Sequence, residues 1–109
     1  FGKPIIEHQA VAFRLADMAA KTDISHLVTM RAARLFDAGK PVTAASAIAK
    51  VVASENTTWV ANAGLLTHGG WGYSREFMVE KWLRDAKLEE LEEGTSDIQR
   101  LIISRSLAK

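Results

Sequence analysis

Apolar residues recur at three- and four-residue spacing through the first third of the chain: Val11, Leu15, Met18 and Ala19, then Leu27, Val28, Ala32, Leu35 and Phe36. With 3.6 residues per turn, that spacing lines them along one stripe of an α-helix. No glycine or proline intervenes between Pro4 and Gly39. Pro4 suits a first helical turn, where its missing N–H is not needed, and Gly39 suits the left-handed position after a last turn. The pattern predicts one helix, or two in line. Polar Thr22, Asp23 and Ser25 interrupt the stripe and mark either a bend or a turn facing solvent. A second helix is predicted from an N-cap at Thr43 to about Leu66, with Ile48, Val51, Val52, Trp59, Ala63 and Leu66 as its apolar face. His68-Gly69-Gly70-Trp71-Gly72-Tyr73 is expected to form a loop, because each glycine inside a helix costs about 1 kcal/mol relative to alanine.

A third stripe uses Val79, Trp82, Leu83 and Ala86, and periodicity alone carries it through Leu88 and Leu91 to a stop at Gly94. Thr95-Ser96-Asp97 then offers N-cap oxygens to a fourth helix containing Ile98, Leu101, Ile102 and Leu107, with Ser96 and Gln99 at capping-box spacing. Four striped helices with short connections predict an all-α fold, an antiparallel four-helix bundle over residues 1–109 as a single domain.

Composition supports that class and narrows the function. Seventeen alanines against two prolines and seven glycines favour helices that approach closely. A net charge of +1 from 14 basic and 13 acidic side chains argues against a phosphate-backbone footprint, so nucleic acid is not an expected partner. The absence of cysteine excludes disulfides, thiolate nucleophiles and thiolate zinc sites. No apolar run approaches the roughly 20 residues of a membrane span. His8, His26 and His68 are far apart, so no metal site is expected, and His26 is expected to face solvent. Phe1-Gly2-Lys3-Pro4 reads as the interior of a longer chain.

Two stretches carry candidate chemistry. Asp85, Glu89, Glu90, Glu92 and Glu93 place five carboxylates in nine residues, which by itself describes a solvated helix face. Arg84-Asp85 beside Lys87 reads as a surface ion pair. Glu93-Gly94-Thr95-Ser96 is different, since it sets a carboxylate before a glycine and a helix N-terminus, where a flat ligand can approach the backbone and unpaired N–H groups are available. A carboxylate desolvated by such a ligand has its pKa raised and can act as a general base near neutral pH. The glycines at 69, 70 and 72 are either a tight helix-to-helix turn or a backbone cradle for a phosphate or a planar ring. They match neither the Walker nor the dinucleotide pattern.

On these residues the chain resembles the C-terminal helical domain of the flavin-dependent acyl-CoA dehydrogenases. The likeness runs from Phe1-Gly2-Lys3-Pro4-Ile5 and Gln9 through Leu15-Ala16-Asp17-Met18, and is most specific at Arg84-Asp85-Ala86-Lys87 and Glu93-Gly94-Thr95-Ser96-Asp97-Ile98-Gln99-Arg100. The resemblance implies that Glu93 is the base that removes a proton α to a thioester carbonyl while the β hydrogen leaves as hydride to FAD. It implies that Gly94 lies against the acyl thioester and that Thr95, Ser96 and Asp97 contact FAD. Phe1 and Gln9 match the family's FAD-contacting start of this domain, and Leu66, Thr67, His68, Gly69 and Gly70 match the loop that meets the FAD of a neighbouring subunit. Implied partners are an acyl-CoA substrate, a homodimer or homotetramer built through the bundle, and an electron-transfer flavoprotein as acceptor. The implied setting is a bacterial cytoplasm or a mitochondrial matrix.

The resemblance also loosens the segment after Asp85-Ala86-Lys87 into a loop, against the periodicity. Leu66 stands where many relatives carry glutamine, Glu92 where an aromatic residue is common, and Met78 where a proline is frequent. An acid at Glu93 argues against branches whose base sits on an earlier helix. The alternatives are a non-catalytic helical oligomerisation module, or a related flavoenzyme such as an enoyl-CoA reductase or an acyl-CoA oxidase.

Overall fold

The computed structural model describes residues 1–108 and is helical wherever it is regular. A 3₁₀ turn at Ile5–Glu7 leads into α1 (Gln9–Asp37), α2 (Thr43–His68), the single turn α3 (Gly70–Tyr73), α4 (Val79–Glu89) and α5 (Ser96–Leu107). The expected all-α antiparallel bundle is therefore observed. Pro4 does not start α1, however. It precedes the 3₁₀ turn, and His8, in extended conformation, forms the N-cap of α1.

α1 is one continuous helix of 29 residues. Its polar interruption is not a bend, because the hydroxyls fold back onto the helix. Thr22 donates to the Met18 carbonyl at 2.9 Å, and Ser25 donates to the Lys21 carbonyl at 2.8 Å. Gly39 ends the helix as its sequence position suggests. It holds φ 64°, its N–H bonds to the Phe36 carbonyl, and the Lys40 N–H bonds to the Leu35 carbonyl, both at 2.9 Å. This pair of bonds is a Schellman motif, which satisfies carbonyls the helix end leaves unpaired. α2 begins one residue earlier than expected, since Val42 occupies the N-cap position and Thr43 is already helical.

Alanine sets the distance between α1 and α2. Ala32, Ala45 and Ala49 are buried together, with Val28, Leu35 and Val42 packed around them. Further along the seam Asn56 donates to the Lys21 carbonyl at 3.3 Å and to the Ser25 hydroxyl at 3.1 Å. The Lys21 ammonium lies 4.9 Å from the Trp59 ring centre, a cation–π distance. α4 and α5 both run antiparallel to α2 and pack on it, and neither meets α1 or the other among the described residues. Thr58 on α2 donates to the Ala86 carbonyl of α4 at 3.1 Å, and Glu55 on α2 pairs with Arg100 of α5. α2 is thus the spine of the domain.

The buried apolar residues are alanines and Val79, and no side chain is fully enclosed among the described residues. The larger members of the predicted stripes point outward: Leu27 is 58% exposed, Phe36 72% and Leu107 81%. The molecule measures 57 × 24 × 24 Å. It exposes 7783 Å², where a compact monomer of this mass exposes about 6,000 Å². Small residues bring the helices together and leave the large ones for surfaces beyond the domain.

Gly39→Ala is expected to destabilise the protein by about 1 kcal/mol, the cost of forcing a Cβ into a left-handed residue. A calorimetric melting temperature lowered by several degrees is the expected reading, and an unchanged one contradicts the capping role.

Candidate functional site

The acidic segment is where a helix is stopped. α4 ends at Glu89, not at Gly94 as its apolar spacing suggests. Leu88 and Leu91, which carried that spacing, are both more than half exposed and have no core to bury them. Lys50 on α2 donates to the Glu89 carbonyl at 2.6 Å, and the N–H groups of Leu91 and Glu92 turn back to the Leu88 carbonyl at 2.8 and 3.0 Å. The loop closes through the Ser96 N–H on the Glu90 carbonyl at 3.2 Å.

Glu93 lies at the turn of this loop with φ 54°, the one non-glycine residue with positive φ among those described. Gly94 follows with φ 92°. A left-handed conformation costs a residue with a Cβ about 1–2 kcal/mol and persists only where surrounding contacts impose it. Those contacts come from α5. Thr95 is its N-cap and accepts from the Ile98 N–H at 3.4 Å, so the expected Ser96–Gln99 capping box does not form. With Thr95 in that position Gln99 falls one residue too late for a box. Its side-chain amide instead reaches the carbonyls of Glu93 at 3.2 Å and Gly94 at 3.4 Å.

Thr95, Ser96 and Asp97 line a small cavity with Glu55, Glu90, Leu91 and Arg100. The Ser96 hydroxyl is buried at the start of α5 with no hydrogen-bond partner, a polar group placed to meet a ligand oxygen beside free helix N–H groups. Asp97 pairs with Arg100 at 3.4 Å. The remaining charges pair along α4 at helical spacing: Arg84 with Glu80 at 3.0 Å, Lys81 with Asp85, and Lys87 with Glu90 at 2.8 Å. Arg84 and Asp85 are therefore not partners, because adjacent residues on a helix point apart. The Lys87 ammonium, and after it the Thr58 hydroxyl, hold the Glu90 carboxyl below its ordinary value of 4.5, against a smaller opposing effect of burial. Thr58 has one proton and directs it at Ala86, so the Lys87 contact is the firmer of the two.

The glycine-rich stretch builds a second site. α2 runs to His68, Gly69 breaks it at φ 61°, and Gly70–Tyr73 forms one helical turn where a loop was expected. Gly72 makes that turn possible, since a Cβ there would stand 2.5 Å from the Leu65 carbonyl oxygen. Phe1, Leu66, Thr67, His68 and Gly69 come together around an open, largely apolar cavity of about 570 Å³, closed further by Ile5, Trp71 and Phe77. His68 bonds through Nδ1 to the Gly64 carbonyl at 2.8 Å, and its ring lies 5.7 Å from that of Phe77. Gly70 opens α3 with no atom within 4 Å of where its Cβ would be. Gln9, the first residue of α1, is exposed and lies outside the lining.

Gln9 aside, the predicted site residues thus fall into two groups, one at the start of α5 beside Glu55 of α2 and one at the C-terminal end of α2, separated by about 18 Å at 1.5 Å per residue from Glu55 to Thr67. Sequence reasoning missed the Gln99 contact, Lys50 and Phe77. The first was visible as a glutamine near the loop, but it was expected to accept from a cap N–H and instead donates to two carbonyls. The other two act across elements and leave no local signal. His26 is exposed, and no metal-binding cluster is found among the described residues. None of the described helices is long and apolar enough to cross a membrane.

The domain is all-helical, with a carboxylate on a strained interhelical loop and an open, largely apolar cavity at the C-terminal end of α2. A family model described as "Acyl-CoA dehydrogenase, C-terminal domain" matches residues 1–108, and the chain belongs to that family. It is 50% identical over its whole length to the probable acyl-CoA dehydrogenase YngJ of Bacillus subtilis (strain 168), covering 29% of that protein. It is 46% identical to the acryloyl-CoA reductase (NADH) of Anaerotignum propionicum, covering all of this chain and 28% of the reductase. Among solved structures, butyryl-CoA dehydrogenase from Megasphaera elsdenii superposes with a TM-score of 0.97 at 37% identity, covering 100% of this chain and 28% of that one. A structure described as an electron transferring flavoprotein of Acidaminococcus fermentans gives a TM-score of 0.97 at 36% identity, covering 100% and 29%. The chain therefore spans less than a third of the length of the relatives it matches.

Glu90→Gln is expected to lower the melting temperature at pH 7. Because the Glu90 pKa is depressed on folding, its contribution is full above 4.5 and lost as pH falls through the lower folded value. The gap between variant and wild type should close over that acidic window, and a gap that persists below it contradicts the pairing.

Proposed function

We propose that the chain is the C-terminal part of a longer FAD-dependent acyl-CoA dehydrogenase and supplies its catalytic base, Glu93. The observation that carries this reading is the placement of Glu93: an exposed residue in a left-handed turn between α4 and α5, its carbonyl held by Gln99 of α5, in a loop that Lys50 of α2 ties down at Glu89. A rigid, projecting carboxylate suits proton abstraction, because a base must stand within hydrogen-bond reach of the proton it removes. Glu93 would take the proton from the carbon α to the thioester carbonyl, and the electron pair left behind would form the Cα–Cβ double bond as the β hydrogen departs as hydride. FAD would supply the acceptor for that hydride. Gly94 would leave room for the acyl thioester beside the backbone.

The residues present fit such a cofactor in two places. The apolar cavity of Phe1, Leu66, Thr67, His68 and Gly69, with Gly70 open beside it and Gln9 nearby in sequence, suits a planar ring and the chain attached to it. Thr95, the unpartnered Ser96 hydroxyl and the Asp97 N–H at the start of α5 suit polar or phosphate oxygens. Their separation along α2 supports two cofactor molecules, one held by each end, and with them a homodimer or homotetramer. Leu66 brings no side-chain donor to its cavity, which leaves that role to backbone groups of the glycine turn. An electron-transfer flavoprotein is the proposed acceptor, and a bacterial cytoplasm or a mitochondrial matrix the proposed setting.

A second reading, enoyl-CoA reduction, draws support from the 46% identity to an acryloyl-CoA reductase. In that direction Glu93 would deliver the α proton. Glu93→Gln in the flavin-loaded, full-length enzyme is expected to cut acyl-CoA oxidation by roughly 10² to 10⁴, the usual worth of a positioned base, while flavin remains bound. Turnover within a factor of about two of wild type would refute the assignment. An enzyme that reduces an enoyl-CoA with NADH but does not oxidise the acyl-CoA would favour the second reading.

A further inference from the structure

Gln99 is one of three buried polar side chains among the described residues, at 9% exposure. Its backbone N–H bonds to the Thr95 carbonyl at 3.0 Å, so the residue belongs to the first turn of α5 and moves with that helix. Its side-chain Nε2 faces back across the turn and donates at 3.2 Å to Glu93 and at 3.4 Å to Gly94. These are the carbonyls of the two successive residues with φ 54° and 92°. No backbone N–H reaches either carbonyl among the described residues, so both depend on a side-chain donor. A primary amide has two hydrogens on one nitrogen and can serve both.

The space for this contact is kept by Gly94, where a Cβ would lie 2.9 Å from Nε2. A Cβ at this position would crowd the amide inside the loop, and the left-handed backbone at φ 92° independently favours glycine. We infer that Gln99 is the positioning residue of the site: its amide latches the left-handed turn to α5 and so fixes the direction in which the Glu93 carboxylate projects. The inference rests on Glu93 being the base. Gln99 itself is buried beneath the loop with its amide turned to the loop backbone, so in this proposal it acts through Glu93.

The latch acts on geometry, so its loss should appear in the proton-transfer step and not in binding. In the full-length holoenzyme, Gln99→Met keeps the length of the side chain and removes both donors. Expected is a fall in kcat of roughly ten- to hundredfold, as for a base displaced by about an ångström, with KM and flavin content within about twofold of wild type. The kinetic isotope effect with butyryl-CoA deuterated at C2 should rise as proton abstraction becomes more rate-limiting. Amide hydrogen exchange at Gly94, Thr95 and Ser96 should quicken in the variant.

Gln99→Glu, identical in shape, presents an acceptor to the two carbonyls and is expected to behave like Gln99→Met; it carries the test if the methionine variant does not hold flavin. A kcat within twofold of wild type with an unchanged isotope effect overturns the latch, and does so while the base assignment stands if Glu93→Gln is inactive. Full activity in Glu93→Gln removes the base assignment and the latch with it. Loss of fold or flavin in both Gln99 variants also overturns the proposal, because the residue is then needed for folding and not for aiming Glu93.

Discussion

The close approach of α1 and α2 through alanine is the constraint on which the rest of the molecule depends. Ala32 on one helix and Ala45 and Ala49 on the other occupy the seam, and their small size lets backbone-level contacts form. The Asn56 amide can then reach a carbonyl and a hydroxyl of α1. Larger residues would fill the seam and hold the axes further apart. With α1 fixed on one side, α2 offers its remaining faces to α4 and α5. The cost of using alanine is a domain with little apolar burial of its own, and an outer surface carrying Phe13, Leu27, Phe36 and Trp82. Such a surface fits a part that works against other surfaces.

The loop that carries Glu93 follows from the same arrangement. α4 and α5 both dock antiparallel on α2 and do not meet each other among the described residues, so the residues between them must break one helix and start the next within a few positions. Lys50 and Thr58 on α2 donate to carbonyls at the end of α4, and Gln99 donates to carbonyls of the loop that follows. Each of these donors replaces a hydrogen bond that a continuing helix would have made. Strain at Glu93 is therefore imposed by partners on two other elements, and the carboxylate stands clear of the helix faces.

Much of the architecture was legible along the chain. Apolar spacing located four main helices, Gly39 marked the end of α1, and the hydroxyl-rich run from Thr95 to Asp97 marked the start of α5. The errors share a cause. The extension of α4 to Gly94 followed Leu88 and Leu91, whose spacing is helical but which find no core to bury them. The glycines at 70 and 72 argued for a loop, yet the turn α3 forms because Gly72 lets it pack against the Leu65 carbonyl. Glycine propensity describes an isolated helix, and contact with a neighbour overrides it. The capping box failed by one residue, a difference in N-cap register that local pattern does not resolve.

Of the candidate site, the chain alone identified Glu93, its glycine and the hydroxyl-rich helix start, since a carboxylate, a flexible residue and an N-cap are chemically distinct and adjacent. The resemblance, and not local chemistry, marked Leu66 to Gly70 as one unit. Only the tertiary structure joined Phe1 to that unit across the full length of α2, added Phe77 to the cavity, and set Lys50 beneath the end of α4. Only it gave Glu93 a left-handed backbone and Gln99 its two carbonyls. Local chemistry and periodicity are properties of neighbours in sequence, and so were readable there. Which donor reaches which carbonyl depends on how helices dock, and that is decided when alanine brings α1 and α2 together and leaves α2 to hold the rest.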